Sequence, residues 1–473
     1  AYAEISPVQR PRLHFQVAQA LKQLHADALE PIYAQLAFHY EIAGELALAI
    51  DAYQQAAIVV YSRFAAADAV ALLSRARTLA DALPASELRQ RRLLSILLQL
   101  REPLLLHKGH TAPELGEIGH QASALAQELG LKRERILAMA GLRSYAHMCG
   151  HYQEALVTAT QMLTLANEIL STVSVLSEND AELLDKPHHG LANVLLYTGQ
   201  LIEARTHFDH ALALPRVSTG RFVFSALNWW LLGYPDRARK QMHQALVFAR
   251  NLGHPHEIGF AMTNLARLNH FLRRTQLAQL WAQQSIALCS TYEIPFWVKL
   301  SNLFLGRSMA ETGEYKRGIA LLQKTLGQLA DDGHQAFCSY FWGLLVEAYV
   351  CSHQYTEAER ALERAFSYVE RNGETFWHPE LLRLRGDVAV AQGRPIAAVE
   401  SCYEQAIAIA QAQEGKSLEL RATVSLCRLW QQQGKGAEAY IRLAALYGGF
   451  AEGQRTVDLQ AAQQLLAVLS TNI

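Results

Sequence analysis

Residues 226–246, ALNWWLLGYPDRARKQMHQAL, hold two apolar helical runs joined at Gly233. The same arrangement returns at 265–286 (LARLNHFLRRTQLAQLWAQQSI), 305–326 (LGRSMAETGEYKRGIALLQKTL), 345–366 (LVEAYVCSHQYTEAERALERAF) and 384–407 (LRGDVAVAQGRPIAAVESCYEQAI). The joints fall in constant register at Gly233, Arg273, Gly313, His353 and Gly393, and then, one place late, at Gly434. Two helices per unit at a fixed period in this range is the pattern of a helical solenoid, in which each unit buries its apolar faces against its neighbours. The pattern predicts an all-α fold and a binding role, and it names no ligand.

Upstream, YAQLAFHYEIAGELALAIDAYQQA (33–56) places Tyr33, Ala37, Tyr40, Gly44, Ala49, Tyr53 and Ala56 at the large, small, aromatic, turn, small, aromatic and small positions of a tetratricopeptide repeat. Gly44 ends the first helix where the backbone leaves α geometry. Ala49 and Ala56 allow a close helix crossing flanked by the two tyrosines. Ala69, Leu73 and Ala76 then repeat the second-helix pattern only half a repeat after Ala49, so the phase slips by half a unit around a helix shared near 46–64. The spacing from Gly150 to Gly199 is longer than the regular step, and STVSVLSENDAELLDKP (171–187) reads as an irregular insertion. The fold expected is a tetratricopeptide-repeat-like α-solenoid, a right-handed superhelix of about ten helical hairpins. It divides into a helical lead-in (1–30), N-terminal repeats with the phase slip (31–110), central repeats with the insertion (111–232), regular 40-residue repeats (233–447) and a C-terminal capping helix (448–473).

Over 473 residues, 51% are hydrophobic and the formal net charge is −1. That composition supplies ample core and argues against wholesale binding to nucleic acid or anionic membrane, which want a basic footprint. No run of about 18 apolar residues free of charge is present, so no transmembrane helix is expected. The six cysteines form no CxxC pair and fall on apolar helix faces, as reduced thiols of a cytoplasmic protein do. The start AYAEISPVQR, with no Met and no basic-then-apolar leader, reads as an excised piece of a longer chain.

Candidate chemistry is sparse. There is no GxSxG and no cysteine in a nucleophile motif, so no catalytic residue is assigned. His188-His189, His207/His210 and His254/His256 lack evident third and fourth metal ligands and read as packing or surface groups, so neither a metal nor a cofactor is assigned. The first helices line the concave side of a tetratricopeptide superhelix. The repeat register puts Asn193, Trp230, Asn264, Arg267, His270, Arg307, Glu311, Tyr340, Glu347, Arg383, Asp387 and Arg428 there. All but Asn193 and Arg428 are carried forward as the candidate binding set. Arginine forks take carboxylates, asparagines take extended backbone and aromatics give flat platforms. The competing reading pairs these charges with one another between units, as in Arg307 with Glu347. Trp297, Phe337 and Trp377, spaced by the same step, are expected to pack against the preceding unit. Of the adjacent Trp229 and Trp230, one belongs to core and one to groove.

Several stretches together resemble the helical C-terminal region of bacterial signal-transduction ATPases with numerous domains. They are RLHFQVAQALKQLHADALEPIYAQLAFHYEIAGELALAIDAYQQAA, LLHKGHTAPELG, ALNWWLLGYPDRA, RNLGHPHEIGFAM, GETFWHPELLRLRGDVAVAQG and the closing KSLELRATVSLCRLWQQQGKGAEAYIRLAALYGGFAEGQRTVDLQAAQQLL. In this branch an AAA-type ATPase is joined to a transcription-activator or nucleotide-cyclase module, and the repeats are similar to the sensor superhelix of the maltose-regulon activator. The resemblance implies a sensor of an inducer, peptide or protein that controls an upstream ATPase in cis. No GxxxxGK[ST] occurs, so any ATP hydrolysis is implied for sequence outside this chain, and the chain itself is expected not to be an enzyme. The alternative is a constitutive protein-interaction scaffold. Direct nucleic-acid or membrane partners are not expected.

Overall fold

The computed structural model describes residues 6–171, 178–214 and 218–471. Among them the chain is α-helical throughout, apart from turns and one short 3-10 turn at 30–32, and it forms a tetratricopeptide-like α-solenoid. It divides into two compact units, residues 1–145 with 164–172, and residues 146–163 with 173–473.

The first unit holds α1 (Gln9–Leu24), α2 (Tyr33–Ile42), α3 (Leu46–Ser62), α4 (Ala66–Asp81), α5 (Glu87–Lys108), α6 (Pro113–Glu128) and most of α7 (Lys132–Met148). α3 packs against both α2 and α4, so one helix serves two successive hairpins. Ala49, Ala69 and Ala76 are fully buried at the crossings. Ser86 caps α5 by accepting from the Arg89 amide.

The second unit takes the end of α7 and most of α8 (Tyr152–Leu170). Seven hairpins follow among the described residues: α9 (Glu178–Tyr197) with α10 (Leu201–Leu212), α11 (Thr219–Leu231) with α12 (Pro235–Leu252), α13 (Pro255–Phe271) with α14 (Thr275–Thr291), α15 (Pro295–Glu311) with α16 (Tyr315–Asp331), α17 (Cys338–Cys351) with α18 (Tyr355–Asn372), α19 (His378–Ala391) with α20 (Ile396–Ala412), and α21 (Lys416–Gln432) with α22 (Gly436–Tyr447). The closing helix is α23 (Val457–Ser470). Of the stretch 171–187 expected to be irregular, 172–177 lie outside the described residues, and from Glu178 onward the chain is helical. The apolar spacing of Leu183, Leu191, Val194 and Leu195 carries the α9 pattern upstream, and α9 continues through Pro187.

One bond closes each hairpin turn. The turn residue has positive φ at Gly233, Arg273, Gly313, His353 and Gly393. The next amide reaches back to the carbonyl of the first helix, as in Tyr234 N to Trp229 O (2.9 Å), Arg274 N to Asn269 O (2.8 Å) and Gln354 N to Tyr349 O (2.9 Å). This is the αL helix stop that the regular step of joints encodes. Ala238, Ala278, Gly318 and Ala358, at one fixed place after each joint, let the second helix approach the first closely.

The first helices also dock at long range. Met148 O accepts from the Gln335 and Ala336 amides (3.0 and 3.2 Å), and Tyr197 O from those of Thr375 and Phe376 (3.0 and 3.2 Å). Trp230 O accepts from Ser417 Oγ (2.5 Å), and Asp458 pairs with Arg273 (3.0 Å). The end of α7 therefore meets the start of α17, α9 that of α19, α11 that of α21, and α13 that of α23. Five hairpins make one turn of this unit, and each turn seats on the next.

The space between turns is filled. Trp230, Phe271 and Trp377 stack (ring centroids 4.5 Å for the first pair and 4.9 Å for the second), Tyr340 meets Trp377 at 4.8 Å, and Tyr197 meets Phe337 at 4.3 Å. The concave side on which the repeat register places the candidate residues is, at this level, a solid aromatic interior.

Candidate functional site

Next to that interior lies a cavity of about 380 Å³. It is lined from the last turns of α13 and α15, from α17, α19 and α21, and from the first turn of α23. α13, α15 and α17 present their C-terminal ends to this space, where helix dipoles favour cations. Arg307, Arg383 and Arg421 meet that demand.

Six of the ten residues singled out from sequence line this cavity: His270, Arg307, Glu311, Glu347, Arg383 and Asp387. Arg428, also placed on this surface by the repeat register, lines it too. The paired arrangement weighed against a ligand role is what the structure contains. Arg307 donates to Glu347 (2.5 Å) and to Glu311 (3.1 Å). Glu347 also meets His270 Nε2 (3.1 Å), whose Nδ1 meets Tyr340 Oη (2.9 Å). Arg383 forks onto Glu380 (3.0 and 2.8 Å) and reaches Asp387, which accepts from Tyr403 Oη (2.8 Å). Arg421 joins Glu380, Asp458 and the carbonyl of Phe271.

Burial alone would raise the Glu347 carboxyl, but Arg307 and then His270 outweigh it and hold it well below the usual carboxylate range. Burial likewise opposes ionisation of Glu380, yet Arg383 and Arg421 bring it down to about 2. Both carboxylates are therefore ionised in the interior, each dependent on its arginines.

The other four residues are not on the cavity wall. Trp230 is 2% exposed within the aromatic interior, whereas Trp229 is half-buried beneath the guanidinium groups of Arg205 (4.4 Å) and Arg237 (5.1 Å). Of the two indoles it is Trp230 that belongs to the core. Asn264 turns back to donate to Phe260 O of its own helix (2.9 Å). Arg267 lies over the Phe337 ring (5.1 Å) and donates to Tyr197 Oη (3.1 Å). Tyr340 is fully buried and reaches the cavity only through His270. For Trp230, Arg267 and Tyr340 the cause is shared: the aromatic interior covers the part of the first-helix surface on which they sit.

Sequence reasoning missed Glu380, Arg421, Asp458, Arg273 and Tyr403. Glu380 and Arg421 stand one repeat step apart, so the register itself carried a signal for that pair. Arg273 and Asp458 were assigned to a turn and a cap, and only docking between turns unites them.

Among the described residues no group of three or more side chains is arranged to hold a metal ion. His188 Nδ1 meets His207 Nδ1 (2.8 Å) and its ring stacks on His210 (4.9 Å). All six cysteines are free. Cys351 reaches the cavity wall, and burial raises its thiol, so it stays protonated and poorly nucleophilic. No helix among the described residues is long and apolar enough to cross a membrane.

No family model and no curated protein sequence matches the chain. Among solved structures it is similar to a Rap protein complexed with competence and sporulation factor, at 15% identity and a TM-score of 0.48, covering 74% of this chain and 99% of that one. It is also similar to a tetratricopeptide repeat protein from Parabacteroides merdae (15% identity, TM-score 0.34, covering 65% and 99%) and to yeast Tom70 (13% identity, TM-score 0.35, covering 96% of each). The fold assignment rests on the repeated helix pairs and their turns.

Proposed function

We propose that this chain is a ligand-sensing regulatory region that binds an inducer, a peptide or a segment of a partner protein in the cavity of its second unit, without turning it over. The observation that carries this reading is the cavity's position. Its wall includes residues of α13, α15, α17, α19, α21 and α23, and it contains the Arg421–Asp458–Arg273 junction at which one turn of the solenoid seats on the next. A ligand there touches both turns, so its affinity differs between a docked and a loosened arrangement, and that difference is what a ligand needs to shift a conformational equilibrium. The resemblance of the sequence to the repeat regions of signal-transduction ATPases supplies the output: the bound state is passed to an ATPase encoded upstream, in the cytoplasm of a bacterium, with transcription or nucleotide cyclisation as effector.

Native mass spectrometry of the purified chain tests this directly, with Ser425→Trp as a cavity-filling control. A small-molecule adduct on the wild type that is lost in Ser425→Trp supports the reading. An adduct retained equally by both places binding elsewhere.

The solid aromatic interior favours a second reading, a constitutive scaffold that offers only its outer surface. A partner whose affinity is unchanged by Ser425→Trp and by metabolite extracts identifies that case.

A further inference from the structure

Resting on the cavity reading above, we infer that the cavity takes a terminal carboxylate carried on an aliphatic body, with the carboxylate seated on Arg428. Four of its five arginines are already answered: Arg307 by Glu311 and Glu347, Arg383 by Glu380 and Asp387, Arg421 by Glu380 and Asp458, and Arg273 by Asp458. Arg428 is exposed and has no ion pair or hydrogen bond among the described residues. It shares one face of α21 with Ser425 and Gln432, three places before and four after. Their side chains also line the cavity and likewise make no hydrogen bond among the described residues. An unpaired guanidinium fork with a hydroxyl and an amide beside it is a donor set for one planar carboxylate.

The acids of the wall do not offer the mirror-image site for a cation. Glu380 uses both oxygens on Arg383, Glu347 is held through Oε2 by Arg307 and His270, and Asp387 uses both oxygens, on Arg383 and Tyr403. Glu311 keeps one oxygen free of a hydrogen bond among the described residues, and it would repel a second negative charge, which favours a monoanion over a phosphate.

Beside these polar groups, and Thr275, Ser308, Cys351 and Tyr403, the lining has aliphatic side chains from Val350, Leu384, Val390, Leu420, Val424 and Leu429. Val390 is 46% exposed, so apolar surface remains there for a ligand to cover. The volume, about 380 Å³, suits a small molecule or a short chain end and lies at the lower end of the roughly 300–1,000 Å³ of ligand pockets.

The probes are octanoate and octanamide for a free acid, and N-acetyl-Leu-Val-Leu as acid and as amide for a peptide C-terminus. Each is titrated calorimetrically into the full chain, into Arg428→Gln and into Arg428→Lys. The expected result is that at least one acid binds roughly tenfold or more tighter than its amide, that Arg428→Gln erases the difference, and that Arg428→Lys keeps part of it. Which acid binds identifies the source of the carboxylate. Equal affinity for acid and amide, discrimination that survives in Arg428→Gln, or binding of neither acid overturns the assignment. Arg428 is exposed and unpaired, so its variants fold, and circular dichroism checks this. Ser425→Trp separates the two claims. If it leaves acid binding intact, the cavity reading fails. If it abolishes binding of acid and amide alike while the wild type fails to discriminate, only the carboxylate assignment fails.

Discussion

Replacing Arg307 by alanine leaves Glu347 ionised, buried and without its main partner, so the cost falls on folding before it falls on any ligand. We expect Arg307→Ala to lose about 3–5 kcal/mol in chemical denaturation, and the double change Arg307→Met with Glu347→Met to recover most of it. A loss confined to binding, with stability unchanged, would contradict the paired arrangement. Glu374 sets a different expectation. It accepts from Tyr152 Oη (2.7 Å) and the Ser339 amide (3.0 Å) while fully buried, and burial raises its carboxyl to about 7 despite those donors. Its folded value lies above its unfolded one, so its contribution is complete below about 4.5 and is lost as pH rises through 7. Glu374→Gln should therefore raise stability at pH 8 relative to the wild type, by on the order of 3 kcal/mol, and do little at pH 4.5. His334 works in the opposite sense. Burial lowers its ring to about 4, so its contribution is present above 6.5 and falls away as pH drops through 4, and a stability profile of Glu374→Gln should keep that acid limb. At this scale the sequence was legible as a row and illegible as pairs. The repeat step located Arg307, Glu347 and Asp387, but the choice between facing a ligand and facing each other depends on burial, which a single row does not carry.

The hairpin turn is the element on which the repeat depends, and its glycines are of two kinds. A Cβ at Gly313 would meet nothing within 4 Å, whereas one at Gly233 would come within 2.9 Å of Lys416 Cβ, on the turn of the solenoid above. Both have positive φ, so Gly313→Ala should cost about 1 kcal/mol from backbone strain alone, while Gly233→Ala should cost about 2–3 kcal/mol and loosen the docking of α11 on α21. Equal melting temperatures for the two variants would show that the turns do not press on one another. His353 occupies the same αL position at φ 58°, and His353→Gly should be stabilising by about 1 kcal/mol. The joints were plain in the sequence because helix termination is local chemistry. The double duty of Gly233 was not, since its second contact, Lys416, lies several repeats further along the chain.

At the scale of the second unit, the end of the chain acts as a clasp. Glu452 accepts from the Asp236 and Arg237 amides at the start of α12 (2.8 and 2.9 Å), Gly453 N donates to Asp236 (3.0 Å), and Asp458 holds Arg273 and Arg421. Removing residues 448–473 should therefore raise hydrogen exchange at 235–238 and at the 271–275 turn, far from the cut in sequence, and should weaken whatever the cavity binds. Protection unchanged at both places would mean that the clasp is decorative. The solenoid class was legible from periodicity, but whether its concave side is open or filled was not. Trp230, Phe271, Tyr340 and Trp377 sit on first-helix surfaces where five-hairpin turns bring them together, and the number of hairpins per turn is a geometric sum that no single repeat contains. That sum also constrains descent. An open array tolerates gain or loss of one unit, because only nearest neighbours notice. Here a single duplicated hairpin between α13 and α17 would lie inside all four docked pairs and move each partner out of step with its mate, so within that span copy number is free to change only in multiples that restore the match. Divergence in this molecule must then proceed by substitution within a frozen count of units rather than by the slippage through which repeat arrays ordinarily lengthen.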